Sequence, residues 1–173
     1  MGANDAAGLG NVIGQSVPRK EDARFLTGTG QYTDDVSMAR QTHAYFLRSP
    51  HGHAVIRAID VVKAKGSTGV SGIFTGAYHR GVNGLPCGWL IAGTDGKPMN
   101  EPPHPVLALG KVRYVGDAVA LVIAESIDQA KDAAEQIVVD YDVLAAVVNP
   151  VDALKSGAPL IHEQAPGNKC YTW

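Results

Sequence analysis

The sequence predicts an α+β domain: a sheet with a central buried strand, one main helix over about 126–136, and a short C-terminal helix. Three observations carry this. Residues 118–124 read Ala-Val-Ala-Leu-Val-Ile-Ala and are apolar at every position. A strand with one wet face alternates, so this one is predicted to be central and covered on both faces. Directly after it, Ser126 supplies an N-cap and Gln129 stands three residues further on, the spacing of a capping box. Residues 137–141 then return to β-branched and aromatic types, which gives the local order strand, tight turn, helix, strand.

Three shorter strands are predicted ahead of that unit. Residues 42–48 are mostly apolar and stop at Ser49-Pro50, a turn signal. Residues 54–60 alternate imperfectly after Gly52, and residues 70–75 follow Gly69. The fourth run is 112–124, with Gly116 placed where a bulge or a close backbone approach fits. In the main helix, Ile127, Ala130, Ala134 and Ile137 form a narrow apolar stripe. Asp128, Lys131, Asp132 and Glu135 fall on its wet side. The alanines give a small-residue face, which lets a helix lie close against a sheet. The C-terminal helix is predicted from Asn149 as cap, Pro150 in the first turn and Gly157 at the end.

The remaining chain divides by its punctuation. Residues 1–12 read as a flexible tail, 13–35 as an extended arm, 36–165 as the domain, and 166–173 as the start of a linker. Within the domain, Gly84, Pro86, Gly88, Gly93, Gly96 and Pro98, then Pro102, Pro103 and Pro105, break residues 76–111 too often for a regular element. A long irregular excursion is expected there.

Composition limits the function classes. The 173 residues suit one domain with tails, and the formal net charge is −2. That charge argues against a nucleic-acid partner, which needs a basic face. No apolar run reaches the length of a membrane span, because Asp152 and Lys155 interrupt the late one. The N-terminus lacks the basic start and apolar core of a secretory signal. Met1-Gly2 suits myristoylation, but Ala6 stands where that motif needs Ser or Thr. Cys87 and Cys170 are far apart and form no CxxC, so two reduced thiols in a cytoplasmic protein are expected.

Thr27-Gly28-Thr29-Gly30 suggests a phosphate loop, but a dinucleotide fingerprint needs Gly at position 33, where Thr stands, and a following helix. Asp34 and Asp35 would repel phosphate, so the loop is expected to place chain. His51 and His53 could give a metal two imidazoles, yet no third ligand stands at a telling spacing. His79, His104 and His162 are isolated in Gly- or Pro-rich chain, and Cys87 and Cys170 lack a sequence-adjacent base. Residues alone therefore assign no catalytic, cofactor or metal residue. Arg19, Glu21, Asp22 and Arg24 are the interface candidates, because mixed charges on an irregular arm can lock it to a neighbouring surface.

Read as strings, these segments resemble a known family. Val115-Gly116-Asp117-Ala118-Val119-Ala120-Leu121-Val122-Ile123-Ala124-Glu125-Ser126, with Ala130, Ala133, Ala134, Ile137 and Val139-Asp140-Tyr141, resembles the α/β-hammerhead domain of the xanthine dehydrogenase and aldehyde oxidase family. Gly14 and the run from Arg19 to Asp35 resemble the opening of the carbon-monoxide-dehydrogenase-like, molybdopterin-binding large subunits. Leu47-Arg48-Ser49-Pro50-His51 and Ile161-His162-Glu163 match further family segments, in order, over about 13–173. Tyr78 departs from it, standing where the family often has Asp.

The resemblance implies a hammerhead fold with a mixed sheet, serving as a structural scaffold domain in an oxidoreductase. In the complete large subunit it implies molybdenum held by a pterin dinucleotide. Iron–sulfur clusters and FAD are implied in partner subunits or domains. The family's pterin motifs and catalytic glutamate lie beyond this domain, so no cofactor is expected within these residues and no such residue is carried over. The charged arm is expected to position the domain against the remainder of the large subunit and the iron–sulfur and flavin subunits. Two alternatives stand beside this: a free-standing protein-interaction module with no enzymatic role, and a small metal-dependent enzyme using His51 and His53.

Overall fold

The computed structural model describes Gly14 and residues 16–173, so the predicted tail, 1–12, lies outside the described residues. The chain forms two compact units, one through Gln41 and one from Thr42. The sequence reading had set the boundary at 35/36.

The first unit corrects the expectation of an extended arm. Asp22–Leu26 form a helix, α1. Arg19 donates to the Asp22 carboxylate through both its backbone N–H and its Nε, each at 3.0 Å. After the helix, the Thr29 and Gly30 amides both donate to the Arg24 carbonyl, at 2.8 and 2.9 Å. Phe25 and Tyr32 stack with centroids 4.9 Å apart. Gly30 is required by close approach, because a Cβ there would lie 2.1 Å from the Phe25 ring. A 3-10 turn, Thr33–Asp35, follows, and the Asp35 carboxylate accepts from the Tyr32 amide at 2.8 Å. The charges that suggested an irregular segment act locally instead: Asp22 favours the positive end of α1, and the Thr-Gly run closes its C-terminal end.

In the second unit, the strands are β1 His43–Arg48, β2 Ala54–Asp60, β3 Val70–Thr75, β4 Lys111–Val112, β5 Ala118–Ala124 and β6 Val138–Val143. Between them lie α2 Val62–Lys65, α3 Ile127–Glu135 and, after β6, α4 Pro150–Ala153. The strands make two three-stranded sheets, ordered β1-β5-β3 and β4-β2-β6. Every described strand pair is antiparallel. The expected mixed sheet thus resolves into two antiparallel ones, because the β5-α3-β6 unit crosses from one sheet to the other and makes no parallel pair. The run 112–124 is split for a related reason. A turn at 113–117 interrupts it, with Gly116 at φ 92°, a conformation that favours glycine. The Arg113 amide donates to the Asp117 carboxylate at 3.0 Å. Ser49 and the turn exchange backbone bonds: Ser49 N–H to the Asp117 carbonyl and Gly116 N–H to the Ser49 carbonyl, both 2.8 Å.

Strand β5 is central, as predicted, but its two faces differ. Ala120, Val122 and Ala124 are fully buried under α3, against Ala130, Ala133 and Ala134. On the other face only Val119 is covered, in a cluster with Ala54, Ala108 and Val112. Leu121 and Ile123 are half-buried. In α3, Ala133 joins the buried stripe, while Ile127 is 38% exposed at the first turn. The Ser126 hydroxyl accepts from the Gln129 amide at 3.2 Å. The reciprocal half of the capping box is missing: the Gln129 side chain lies against Gly69 and its Oε1 has no partner.

Helix α4 is capped as predicted, with the Asn149 side chain accepting from the Val151 and Asp152 amides, but it ends at Ala153, short of Gly157. Four-residue α2 was not legible in the sequence; the Asp60 carboxylate accepts from the Val62 amide at its start. The excursion is irregular apart from a 3-10 turn, Gly76–His79, and a bridge between Ala92 and Pro98. Residues 166–173, read as a linker start, are bonded into this unit. The Thr94 and Asn100 amides donate to the Thr172 and Cys170 carbonyls, each at 2.8 Å. The Asn168 side chain donates to the Ala153 and Pro159 carbonyls and accepts from the Ile161 amide.

The faces of β5 set a mutational contrast. Val122→Asp would put an unpaired charge under α3, and it is expected to abolish the cooperative thermal transition. Leu121→Asp, on the half-open face, should retain a transition at a lower temperature. Ser126→Ala should cost about 1 kcal/mol in urea unfolding through its lost cap. Equal effects of the two aspartates would contradict the two-faced assignment.

Candidate functional site

Charged and aromatic side chains from three segments meet around the 113–117 turn. Strand residues two apart share a face, so β4 and its continuation present Lys111 and Arg113 together. Glu163 bridges both: Lys111 Nζ lies 2.5 Å from its Oε1 and Arg113 Nη2 lies 3.4 Å from its Oε2. Arg113 Nε also donates to the Ile161 carbonyl at 3.1 Å. The hydrogen bond from Lys111, then the bond to its own backbone amide and the two cationic charges, holds the Glu163 carboxyl down to about 2.

Beside this cluster lies a cavity of about 240 Å³, walled by Pro102, Pro103 and Pro105. His104, Arg113, Tyr114, Asp117 and His162 complete its lining. Burial first, and the Arg113 charge second, push the His162 imidazole below its ordinary range. Its Nδ1 is buried without a partner. Burial and the neighbouring Asp117 carboxylate push the Tyr114 phenol up. The other polar groups are spent on one another, since Asp117 takes the Arg113 amide and Arg113 holds Ile161 and Glu163. This arrangement fixes chain to chain around the cavity.

The residues singled out in the sequence are dispersed. Thr29 and Gly30 turn their amides onto Arg24, so Thr27–Gly30 forms a helix stop with no open cradle. His53 is 4% exposed and its Nδ1 sits 2.8 Å from the Ala145 carbonyl. His51 instead meets Tyr141 edge-on, with ring centroids 4.9 Å apart. Among the described residues, no three His, Cys, Asp or Glu side chains converge as a metal-binding group. Cys87 and Cys170 are exposed, bonding to the Trp89 and Asn100 carbonyls. No described helix is long and apolar enough to cross a membrane. Sequence reasoning passed over Lys111, Arg113 and Glu163. The Lys-Val-Arg alternation was visible, but its partner lies about fifty residues on, joined only by the fold.

The family model described as "Aldehyde oxidase and xanthine dehydrogenase, a/b hammerhead domain" matches residues 27–145. The chain is 38% identical over 159 residues to the nicotine 6-hydroxylase large subunit of Paenarthrobacter nicotinovorans, covering 91% of this chain and 19% of that one. It is 37% identical over 153 residues to the carbon monoxide dehydrogenase large chain of Afipia carboxidovorans, covering 84% and 17%. Among solved structures, quinoline 2-oxidoreductase from Pseudomonas putida 86 matches with a TM-score of 0.71 and 38% identity, over 83% of this chain and 18% of that one. The chain therefore spans less than a fifth of the length of these relatives.

Glu163→Gln should lower stability near neutral pH by about 0.2–1 kcal/mol, the range of solvent-exposed ion pairs. Folding depresses this carboxyl from 4.5 to about 2, so the wild-type advantage is full above 4.5 and lost as pH falls toward 2. His162 acts in a higher window. Its folded form favours the neutral ring, so the stability it contributes is present above 6.5 and lost as pH falls below that value. Urea midpoints measured across pH, for wild type, Glu163→Gln and His162→Gln, separate the two windows.

Proposed function

The chain belongs to the aldehyde oxidase and xanthine dehydrogenase family, as the a/b hammerhead domain of its large subunits, and we propose that it is the structural scaffold of a molybdenum hydroxylase. The observation that carries this is the way its polar clusters are used. In a domain matching 17–19% of much longer relatives, the Lys111–Glu163–Arg113 and Asn168 clusters bind chain to chain. In this reading the complete large subunit binds molybdenum through a pterin dinucleotide and works as a cytoplasmic oxidoreductase. Iron–sulfur clusters and FAD belong to partner subunits or domains.

In this reading the pterin dinucleotide is held outside these residues, and the Thr27–Gly30 loop is not its phosphate cradle. A dinucleotide needs free backbone donors for its phosphates, and the Thr29 and Gly30 amides are consumed by Arg24. No chemical step is assigned to these residues.

The arm is proposed as an assembly contact. Among the four candidates, Arg19 and Asp22 pair with each other, which leaves Glu21 and Arg24 exposed outside that pair. Arg24 lies over the Phe25 ring at 5.0 Å, presented on a folded base. In this reading the domain core begins with the second unit at Thr42, and the residues from 166 onward, bonded to that unit, lead toward the rest of the large subunit.

The isolated 173 residues, given aldehyde and nitrogen-heterocycle substrates with an artificial electron acceptor, should show neither turnover nor stoichiometric molybdenum. The polypeptide encoded by the whole reading frame should show both; redox turnover by the short chain would refute the scaffold role. In that longer polypeptide, Arg24→Glu should reduce co-purification of the iron–sulfur and flavin subunits several-fold. Full recovery would remove the arm from the interface.

A further inference from the structure

The outer face of the β1-β5-β3 sheet is covered at Val119, by Ala54, Ala108 and Val112, and is only partly covered beyond it. Strand pairing sets Phe46 and Phe74 on either side of Leu121, and Ala44 and Gly72 on either side of Ile123. These six share a face, because alternate strand residues point the same way, and none is charged. Phe46 is 37% exposed, and Phe74, Leu121 and Ile123 are half-buried. The Phe74 ring lies across Gly72, where a Cβ would sit 3.1 Å from it. Tyr78, 62% exposed, extends the surface edge-on to Phe74. Arg48 marks the rim, its guanidinium 5.6 Å from the Phe46 ring centroid and bonded to the Gly116 carbonyl.

We propose that this face is the docking surface for the remainder of the large-subunit polypeptide, which covers it with an apolar face of its own. The assignment rests on the reading that these residues are one domain of a longer chain. Three observations choose that occupant over a second copy or a separate subunit. The face is uncharged at its centre and polar at its rim, as permanent interfaces are, whereas transient ones are more polar throughout. Strand β5 is apolar on both faces, the pattern of a strand buried on both, yet α3 covers only one. In the relatives, more than four-fifths of the same polypeptide lies outside the matched segment. A tethered cover meets its site at a high effective concentration that a free partner lacks.

The test uses Ala44→Cys and Phe46→Cys, each in a Cys87→Ser, Cys170→Ser background, with maleimide labelling under native conditions. Circular dichroism checks folding, and exposed Ala44 keeps the test alive if Phe46→Cys misfolds. Labelling should be fast in the monomeric 173-residue chain and at least tenfold slower in the polypeptide of the whole reading frame without other subunits. Equally fast labelling in a long, active large subunit overturns this assignment alone. Protection that comes only after partner subunits are added overturns it, as does protection in a 173-residue chain that scatters light as a dimer. A reading frame without a long continuation overturns the large-subunit reading and this assignment with it.

Discussion

The close approach of α3 to β5 is the contact on which the rest of this fold depends. Ala130, Ala133 and Ala134 on the helix meet Ala120, Val122 and Ala124 on the strand, and all six are essentially inaccessible to water. Small side chains on both surfaces let the helix lie near the sheet, and close packing then leaves little tolerance for volume. An added methylene in such a seam typically costs about 1–3 kcal/mol. Ile73 and Ala64 close the seam at its edge, and Tyr45 and Leu47 pack against it from β1. One short helix thereby covers the inner faces of three strands.

The second sheet meets the first through Val119 of β5, which packs with Ala54 and Val112, and meets this seam through one cross-strand pair. Ile59 and Val139 stand opposite each other in the β2–β6 ladder, and both pack against each of the two buried clusters. The β5-α3-β6 crossover supplies this link, because it carries the chain out of one sheet and into the other. Beyond the apolar contacts, polar side chains fasten the later segments. Glu163 ties residues 161–163 to Lys111 and Arg113. Asn168 uses both halves of its amide to clip the C-terminal stretch to Ala153, Pro159 and Ile161. An amide with both donor and acceptor satisfied costs little to bury, whereas one left open would cost about 1–3 kcal/mol.

What the sequence made legible follows from interaction range. Strands at 43–48, 54–60 and 70–75, the α3 N-cap and the Asn149 cap rest on residues within four positions of one another, and all are present. Sheet membership rests on partners far apart in sequence, so the split of 112–124 and the two antiparallel sheets were not legible. Helix α1 was missed because its closure uses the Phe25–Tyr32 stack and the Arg24 carbonyl, neither marked by apolar periodicity. The Lys111–Glu163–Arg113 cluster was missed for a different reason: a carboxylate that bridges two cations looks, in a string, like any other surface charge.

Strand β5 reconciles the local fold with its wider context. Its seven apolar residues are more hydrophobic than one sheet under one helix requires. Val119, Ala120, Val122 and Ala124 are fully covered within these residues, whereas Leu121 and Ile123 are only half-buried. Fully burying a leucine or isoleucine side chain contributes roughly 1.5–3 kcal/mol relative to leaving it in water. Leu121 and Ile123 are not among the residues packed against the α3 cluster, so their remaining exposed area lies on the face away from the helix. Partial burial beside Phe46 and Phe74 gives these two side chains part of that gain, and a surface laid against the face would supply the rest. The same strand thus presents two faces: an inner one whose contact with α3 is complete within these residues, and an outer one that is half-buried, the face proposed above as a docking surface.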